Sequence, residues 1–328
     1  MKLPRIGSKL RIVLQLGVGL GLLAFLLVRV DWQRGLSLIR NAEPGLVAVL
    51  FAIHIADRTL MALKWHQLLH VLDQGLSRWG AICVYYESTF VGFALPLGGL
   101  GPDIVRFARL RTRGIEPHVT LASMIMERLI GLVATLAVVA LGLVALARLA
   151  REPALREFAV AAASAAFVAG AVAAALIFHP ASGRAFSRLF KLPAIVNRVS
   201  IAKYVDAVRT YSGRRPLLTA NLGLSLIEQT MAVLAYWVGS RALGIPLPFV
   251  VCLAVAPVTV MIQRLPVSYA GLGLREGSAA ALLVALGYDY SEALTLLMML
   301  FVVFFISMLP GAVIFATSGR PRAEVPAS

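Results

Sequence analysis

The sequence predicts an all-α polytopic membrane protein with about six full transmembrane helices and two re-entrant helical hairpins, arranged as an inverted-topology repeat. Three observations predict it. The chain is 59% hydrophobic with only 14% charged residues, outside the range of ordinary soluble domains. Its apolar residues fall in long runs rather than in period-2 or narrow amphipathic stripes. An apolar turn occurs twice, as Leu95-Pro96-Leu97-Gly98-Gly99-Leu100-Gly101-Pro102-Asp103 and as Leu265-Pro266-Val267-Ser268-Tyr269-Ala270-Gly271-Leu272-Gly273-Leu274-Arg275-Glu276, each time after a hydrophobic segment. Residues 1–328 are therefore read as one integral membrane domain, with a first half over about 1–150 and a second over about 157–316.

The first apolar run, Leu10 to Val30, opens among Lys2, Arg5, Lys9 and Arg11. It is about 20 residues long and has no small-x-small cleavage site before the polar stretch from Asp31, so it is a retained first helix. Pro44–Leu63 is the second span. Gly80–Pro96 does not fit as an ordinary crossing. It would place Arg106, Arg109, Arg111 and Arg113, and later the basic loop 180–215, opposite the basic N-terminus, against the positive-inside bias. If the chain instead descends, turns at Gly98-Gly99-Leu100-Gly101 and returns through Pro102–Arg113, which reaches only about 18 Å, both loops become cytoplasmic. The first re-entrant hairpin is thus 80–113.

Val119–Ala147, Phe158–Phe178 and Pro216–Arg241 follow as spans. Pro248–Gln263 and Gly277–Leu286 form a second re-entrant hairpin, 248–287, that begins and ends on the outer face. Ser291–Ala316 is then the last span, and Arg320 and Arg322 join the N-terminus in the cytoplasm. Most of the 31 lysines and arginines fall on that side, as expected in a plasma (inner) membrane. Hairpins of opposite sense in corresponding positions of two halves point to an inverted-repeat transporter with its site near the midplane.

The turns carry chemistry beyond topology. Irregular backbone at membrane depth is tolerated where it is buried in protein or lines a wet cavity, so Gly99, Gly101, Gly271 and Gly273 imply a cavity. Gly101-Pro102-Asp103 and Gly273-Leu274-Arg275-Glu276 read as helix starts. A helix N-terminus offers free N–H groups to an anion, and Arg275 adds a full charge beside it; a phosphate is the natural guest. The competing explanation is that these glycines only let helices approach closely.

Ionisable residues inside apolar runs are the second signal: Asp57, Arg58, Glu87, Glu127, Arg128, Glu228, Arg264, Arg275 and Glu276. Each charge costs on the order of 2.5–3.5 kcal/mol at the centre of a span, so such a set is kept for pairing or for function. Adjacent opposite charges at 57/58, 127/128 and 275/276 point about 100° apart on a helix, and each is expected to pair across helices instead. Glu87, Asp103, Glu127, Arg128, Glu228 and Glu276 are candidate counter-ions, with Glu87, Glu127 and Glu228 also candidates for proton coupling. Arg106, Arg109 and Arg113 share one face at +3 and +7 on the returning helix. The 180–215 loop holds eight basic residues (Arg184, Arg188, Lys191, Arg198, Lys203, Arg209, Arg214, Arg215) against Asp206. Both stretches are expected against the inner leaflet, where each cation is worth about 1 kcal/mol near anionic lipid.

Other classes find little support. Cys83 and Cys252 lie in apolar runs and offer no disulfide framework or CxxC site. His66 and His70 have i, i+4 spacing but no further ligand at motif distance, and beside Trp65 they read as an interfacial aromatic belt, so no metal is expected. Ser268 lacks a nucleophile elbow. The net charge of +15 is distributed as topology demands, so nucleic acid is not an expected partner. No GxxxxGK[ST] loop is present, and no cofactor is expected.

Three ordered motifs carry a family resemblance: Phe93-Ala-Leu-Pro-Leu-Gly-Gly-Leu-Gly-Pro-Asp-Ile-Val-Arg106, Met126-Glu-Arg-Leu-Ile-Gly131, and Leu265-Pro-Val-Ser-Tyr-Ala-Gly-Leu-Gly-Leu-Arg-Glu-Gly277. With them the chain resembles, over nearly its whole length, the transmembrane flippase-like domain of the lysylphosphatidylglycerol synthases. Glu127 stands where that resemblance leads one to expect an aspartate, and Pro102 where a second glycine is common. In the two-domain enzymes a soluble aminoacyl-transferase domain follows, and the similarity implies that the membrane part moves the modified lipid between leaflets. This chain ends at Ser328, twelve residues after the last expected span, so the synthase chemistry is not expected here.

The resulting expectation is a non-enzymatic lipid translocase. An anionic or headgroup-modified lipid, phospholipid or polyprenyl-phosphate, would pass Arg106 and Arg109 and be held through its phosphate by Arg264, Arg275 and the two glycine turns. The alternatives are a scaffold for a separately encoded lipid-modifying synthase and a lipid-phosphate-linked transferase; a homo-oligomer is compatible with any of them.

Overall fold

The computed structural model describes residues 17, 20–73, 75–94, 101–178, 210–211, 213–263 and 272–317. All regular structure among them is helical: a stretch over 20–28 precedes eleven helices. These are α1 (Trp32–Arg40), α2 (Pro44–Leu72), α3 (Arg78–Ala94), α4 (Gly101–Arg111), α5 (Pro117–Leu149), α6 (Pro153–Phe178), α7 (Arg215–Ala242), α8 (Phe249–Gln263), α9 (Leu274–Ala285), α10 (Tyr290–Ser307) and α11 (Leu309–Thr317). Five stretches among the described residues are long and apolar enough to cross a membrane: α2, α5, α6, α7 and the α10–α11 pair. The molecule is an all-α polytopic membrane protein. Residues 10–16, 18 and 19 of the first expected span lie outside the described residues, as do the turns 95–100 and 264–271 and the loop residues 179–209.

Proline starts several of the long helices. Pro44, Pro117 and Pro216 occupy first-turn positions, where the missing N–H costs nothing and the fixed φ suits the helix. The last span is broken: α10 ends at Ser307, and Leu309-Pro310-Gly311 restarts the chain as α11. Proline cannot donate to the preceding turn, which divides what the sequence suggested was one helix. An unanticipated helix, α1, is capped by Asp31, whose side chain accepts from the N–H groups of Gln33 and Arg34. It exposes Trp32, Leu36 and Ile39, spaced as one face. Arg34 ties it to the start of α10 through Glu292 at 2.6 Å.

Two pairs of helices are shorter than the five candidate spans. At 1.5 Å per residue α3 and α4 span about 26 and 17 Å, and α8 and α9 about 23 and 18 Å, against roughly 30 Å of hydrocarbon. The members of each pair pack on one another. In the first pair the packing is backbone on backbone: a Cβ on Gly92 would sit 2.2 Å from the Pro102 nitrogen, and one on Gly101 2.3 Å from the Gly92 carbonyl oxygen.

The halves exchange neighbours. α3 of the first hairpin packs on α11 of the second half, and α8 of the second hairpin packs on α5 of the first. Both crossings use a glycine, Gly311 against the Tyr86 carbonyl and Gly142 against that of Leu253, where a Cβ would come within 2.3 and 2.5 Å. Between them runs the pair α2 and α7. Its members are antiparallel: the Glu43 N–H donates to the Ala242 carbonyl at 2.8 Å at one end, and the Tyr211 hydroxyl to the Leu68 carbonyl at 2.8 Å at the other. The largest apolar core joins α2, α7, α8, α9 and α10 around Leu50, Val255, Leu283 and Leu294.

Candidate functional site

The first hairpin delivers a cation into the bundle. Asp103 lies in the first turn of α4, and Arg106 follows it at i+3. Arg106 is only 4% exposed, and a buried guanidinium persists only if its charge is matched. Two carboxylates match it, Asp103 Oδ1 at 2.6 Å from Nη2 and Glu127 Oε2 of α5 at 2.8 Å from Nη1. The aromatic faces of Trp65 and Tyr85 lie 5.0 and 4.8 Å from the guanidinium carbon, within cation–π range. The Tyr85 hydroxyl donates to Glu127 Oε1 at 3.5 Å, and Arg128 Nε donates to Asp103 Oδ2 at 2.7 Å. The same hairpin is clamped by an ion pair between Arg109 of α4 and the buried Glu87 of α3.

The second hairpin is arranged differently. Gly273 caps α9 with φ of 75°, a left-handed conformation open to glycine at little cost. Its N–H donates to Glu276 Oε2 at 2.8 Å, and Glu276 Oε1 accepts from Arg275 Nε at 2.9 Å and Nη2 at 2.5 Å. The carboxylate of a buried glutamate thus occupies the anion position at this helix start. Arg275 also sits 5.7 Å over the Phe301 ring of α10.

α2 stands between these groups. Asp57 Oδ2 accepts from Arg58 Nε and Nη2 at 3.0 and 2.6 Å, while Arg58 lies 5.7 Å over Phe304. His54 packs edge-on to the same ring at 5.9 Å and feels the charges of Asp57, Arg58 and Arg275. Arg58 in turn interacts electrostatically with Tyr85 and Glu228. Lys64 of α2, buried, pairs with Glu228 of α7 and donates to Ser225 Oγ at 3.0 Å.

Against the sequence expectations, Arg106, Asp103, Glu127 and Arg128 form one cluster, Arg109 and Glu87 a neighbouring pair, and Arg275, Glu276 and Gly273 a second centre. Gly99, Arg264 and Gly271 lie outside the described residues. Gly101 starts α4 and Gly273 caps α9, as their sequences suggest. Three corrections follow. The expectation that adjacent charges pair across helices fails at 57/58 and 275/276, because a long arginine side chain curls through the arc that separates neighbours; it holds at 127/128. Arg106 does not face a leaflet, since burial against Trp65 and Tyr85 removes it from any membrane surface. Trp65 and His66 are no interfacial belt: α2 continues past Leu63, Trp65 is fully buried, and His66 Nε2 bonds the Leu76 carbonyl at 2.9 Å.

Lys64 escaped the sequence analysis because it was placed at the end of a span. An apolar run resuming after it, through Leu68 and Leu69, was the available signal. Among the described residues no three His, Cys, Asp or Glu side chains are set to hold a metal ion. The arrangement does offer arginines on short helices, each paired with a carboxylate, and guanidinium groups of this kind also bind phosphate oxygens.

A search of curated proteins returns no match. Residues 12–311 match the family described as the lysylphosphatidylglycerol synthase TM region. With five candidate spans among the described residues and a match over nearly all of its length, the chain belongs to the lysylphosphatidylglycerol synthase transmembrane-region family.

Proposed function

We propose that this protein is a non-enzymatic translocase that carries an anionic or headgroup-modified lipid between the leaflets of a plasma membrane, with both termini in the cytoplasm. The observation that carries this reading is the two pairs of short helices, each with an ion-paired arginine and each from a different half of the chain. The halves form an inverted repeat, supported by the antiparallel α2–α7 pair and the exchanged packing of the hairpins. The lipid phosphate trades places with Glu276 on Arg275, while Arg106 and Arg109 hold the first hairpin in register. Alternating exposure follows as one half rocks against the other around the exchanged contacts. Glu87, Glu127 and Glu228 are the carboxylates available to couple the movement to protons.

The test is translocation of a fluorescent phosphatidylglycerol analogue by proteoliposomes. Arg275→Gln, with its melting temperature unchanged, is expected to lower the rate at least tenfold; a wild-type rate would remove Arg275 from the path. One observation favours a second reading. Every described candidate arginine already has a carboxylate partner, as structural ion pairs in a scaffold for a separate lipid-modifying enzyme would. A synthase that co-purifies with the protein, together with absent translocation in the wild type, would decide for the scaffold.

A further inference from the structure

The groove between α5 and α6 presents arginines of the opposite kind. A cavity of about 510 Å3 there is lined by Arg148, Arg156, Val144, Val160, Ala163 and Ser164, among others, a volume within the range of small-molecule sites. Among the described residues neither arginine makes an ion pair. Glu152 and Glu157 are close in sequence, but neither lines the cavity. Two guanidinium groups therefore share one concave surface that no carboxylate among the described residues lines, whereas Arg106, Arg109 and Arg275 are each already neutralised.

Position defines the guest. Arg148 is in the last turn of α5, and Arg156 follows the start of α6 at Pro153. Both charges thus sit where two adjacent spans end, at the depth of lipid headgroups. From there the walls are apolar and open. Val144 and Val160 line the cavity and remain 44% and 52% exposed, and Leu141 on α5 and Phe167 on α6 extend the same exposed faces by one and two helical turns. Paired arginines at the mouth suit a phosphodiester bidentately, and an apolar groove running from them along the spans suits acyl chains. Arg148 lies 21 residues beyond Glu127 on the same helix, about 31 Å, so a full hydrocarbon thickness separates this cavity from the Arg106 cluster.

We propose that the α5–α6 groove is a binding site for an anionic glycerophospholipid, on the membrane face opposite the α4–α5 connection. It takes the lipid without displacing any protein carboxylate, and it stands independently of the site between the hairpins.

Native mass spectrometry of the full-length protein, released from bilayers of equal phosphatidylglycerol and phosphatidylcholine, tests this. The wild type should retain phosphatidylglycerol in clear excess. In an Arg275→Gln background, which removes the site between the hairpins and leaves the α5–α6 contribution, Arg148→Gln/Arg156→Gln should reduce that excess roughly ten- to thirtyfold. Val160→Trp, which fills the apolar groove and keeps both charges, should reduce it as well. An unchanged excess in the double variant, with circular dichroism showing both proteins folded, would overturn the proposal. So would full retention in Val160→Trp, because the arginines would then act only as cations at the ends of spans. Displacement of the lipid by millimolar inorganic phosphate would overturn the lipid assignment in favour of a free anion.

Discussion

The two hairpins begin with similar sequence and end with opposite wiring. Arg106 is held by four helices at once: Asp103 on its own α4, Glu127 on α5, and the Trp65 and Tyr85 rings of α2 and α3. Arg275 is matched by its immediate neighbour Glu276, which also takes the Gly273 N–H. The first centre is a structural junction, and disturbing it disturbs the packing of four helices. The second is a local pair on one helix start, with both charged partners supplied by α9. On the proposed function, similar turns thus serve as an anchor in one half and as an exchangeable anion position in the other.

The largest effect that would break this comparison belongs to Glu127. Glu127→Ala leaves Arg106 buried with half of its matching charge, at a cost of about 3–5 kcal/mol, read as a large fall in melting temperature in detergent. Replacing both partners, as in Glu127→Leu/Arg106→Leu, should recover much of it, since an apolar pair leaves no unmatched charge. Next comes Gly92→Ala, whose methyl meets the Pro102 backbone at 2.2 Å. An expected loss of about 1–3 kcal/mol is measured in the same way, and a neutral result would mean that the hairpin is not clamped at this point.

Glu276→Gln should be milder, about 1 kcal/mol, because the amide oxygen still accepts from Gly273 while the competing negative charge is gone. Lipid retention at Arg275 should rise in this variant, and an equal rise in Glu127→Gln would erase the distinction between the two centres. The smallest change is expected at Arg128, whose side chain is 53% exposed. Arg128→Gln should cost less than about 1 kcal/mol, as exposed ion pairs do.

Much of the fold was legible in the sequence because long apolar runs in a low-charge chain leave few alternatives to spanning helices. The starts of α4 and α9 were legible from Gly101-Pro102-Asp103 and Gly273-Leu274-Arg275-Glu276. Boundaries were not. Lys64, Trp65 and His66 look like the end of a span, yet Glu228, Ser123 and the Leu76 carbonyl satisfy their polar atoms inside the bundle. α1 was hidden because its Trp32, Leu36 and Ile39 face is interleaved with polar residues in a short stretch. The break at Met308 had a signal, Pro310-Gly311, which an apolar-run reading passes over.

At the candidate site, residue types were legible and partners were not. Burial made the charges stand out, but whether an arginine reaches its neighbour or a distant helix depends on rotamers and packing. Asp57–Arg58 and Arg275–Glu276 close on themselves, while Glu127 and Arg128 turn to different partners.

The account rests on Arg275 trading Glu276 for a lipid phosphate, and solid-state NMR in phosphatidylglycerol bilayers measures this directly. With Arg275 guanidinium nitrogens assigned by their loss in Arg275→Lys, dephasing by lipid phosphorus at about 4 Å, as direct hydrogen bonding requires, is the predicted result. Guanidinium nitrogens coupled only to the Glu276 carboxyl carbon, with no phosphorus within reach, would contradict it.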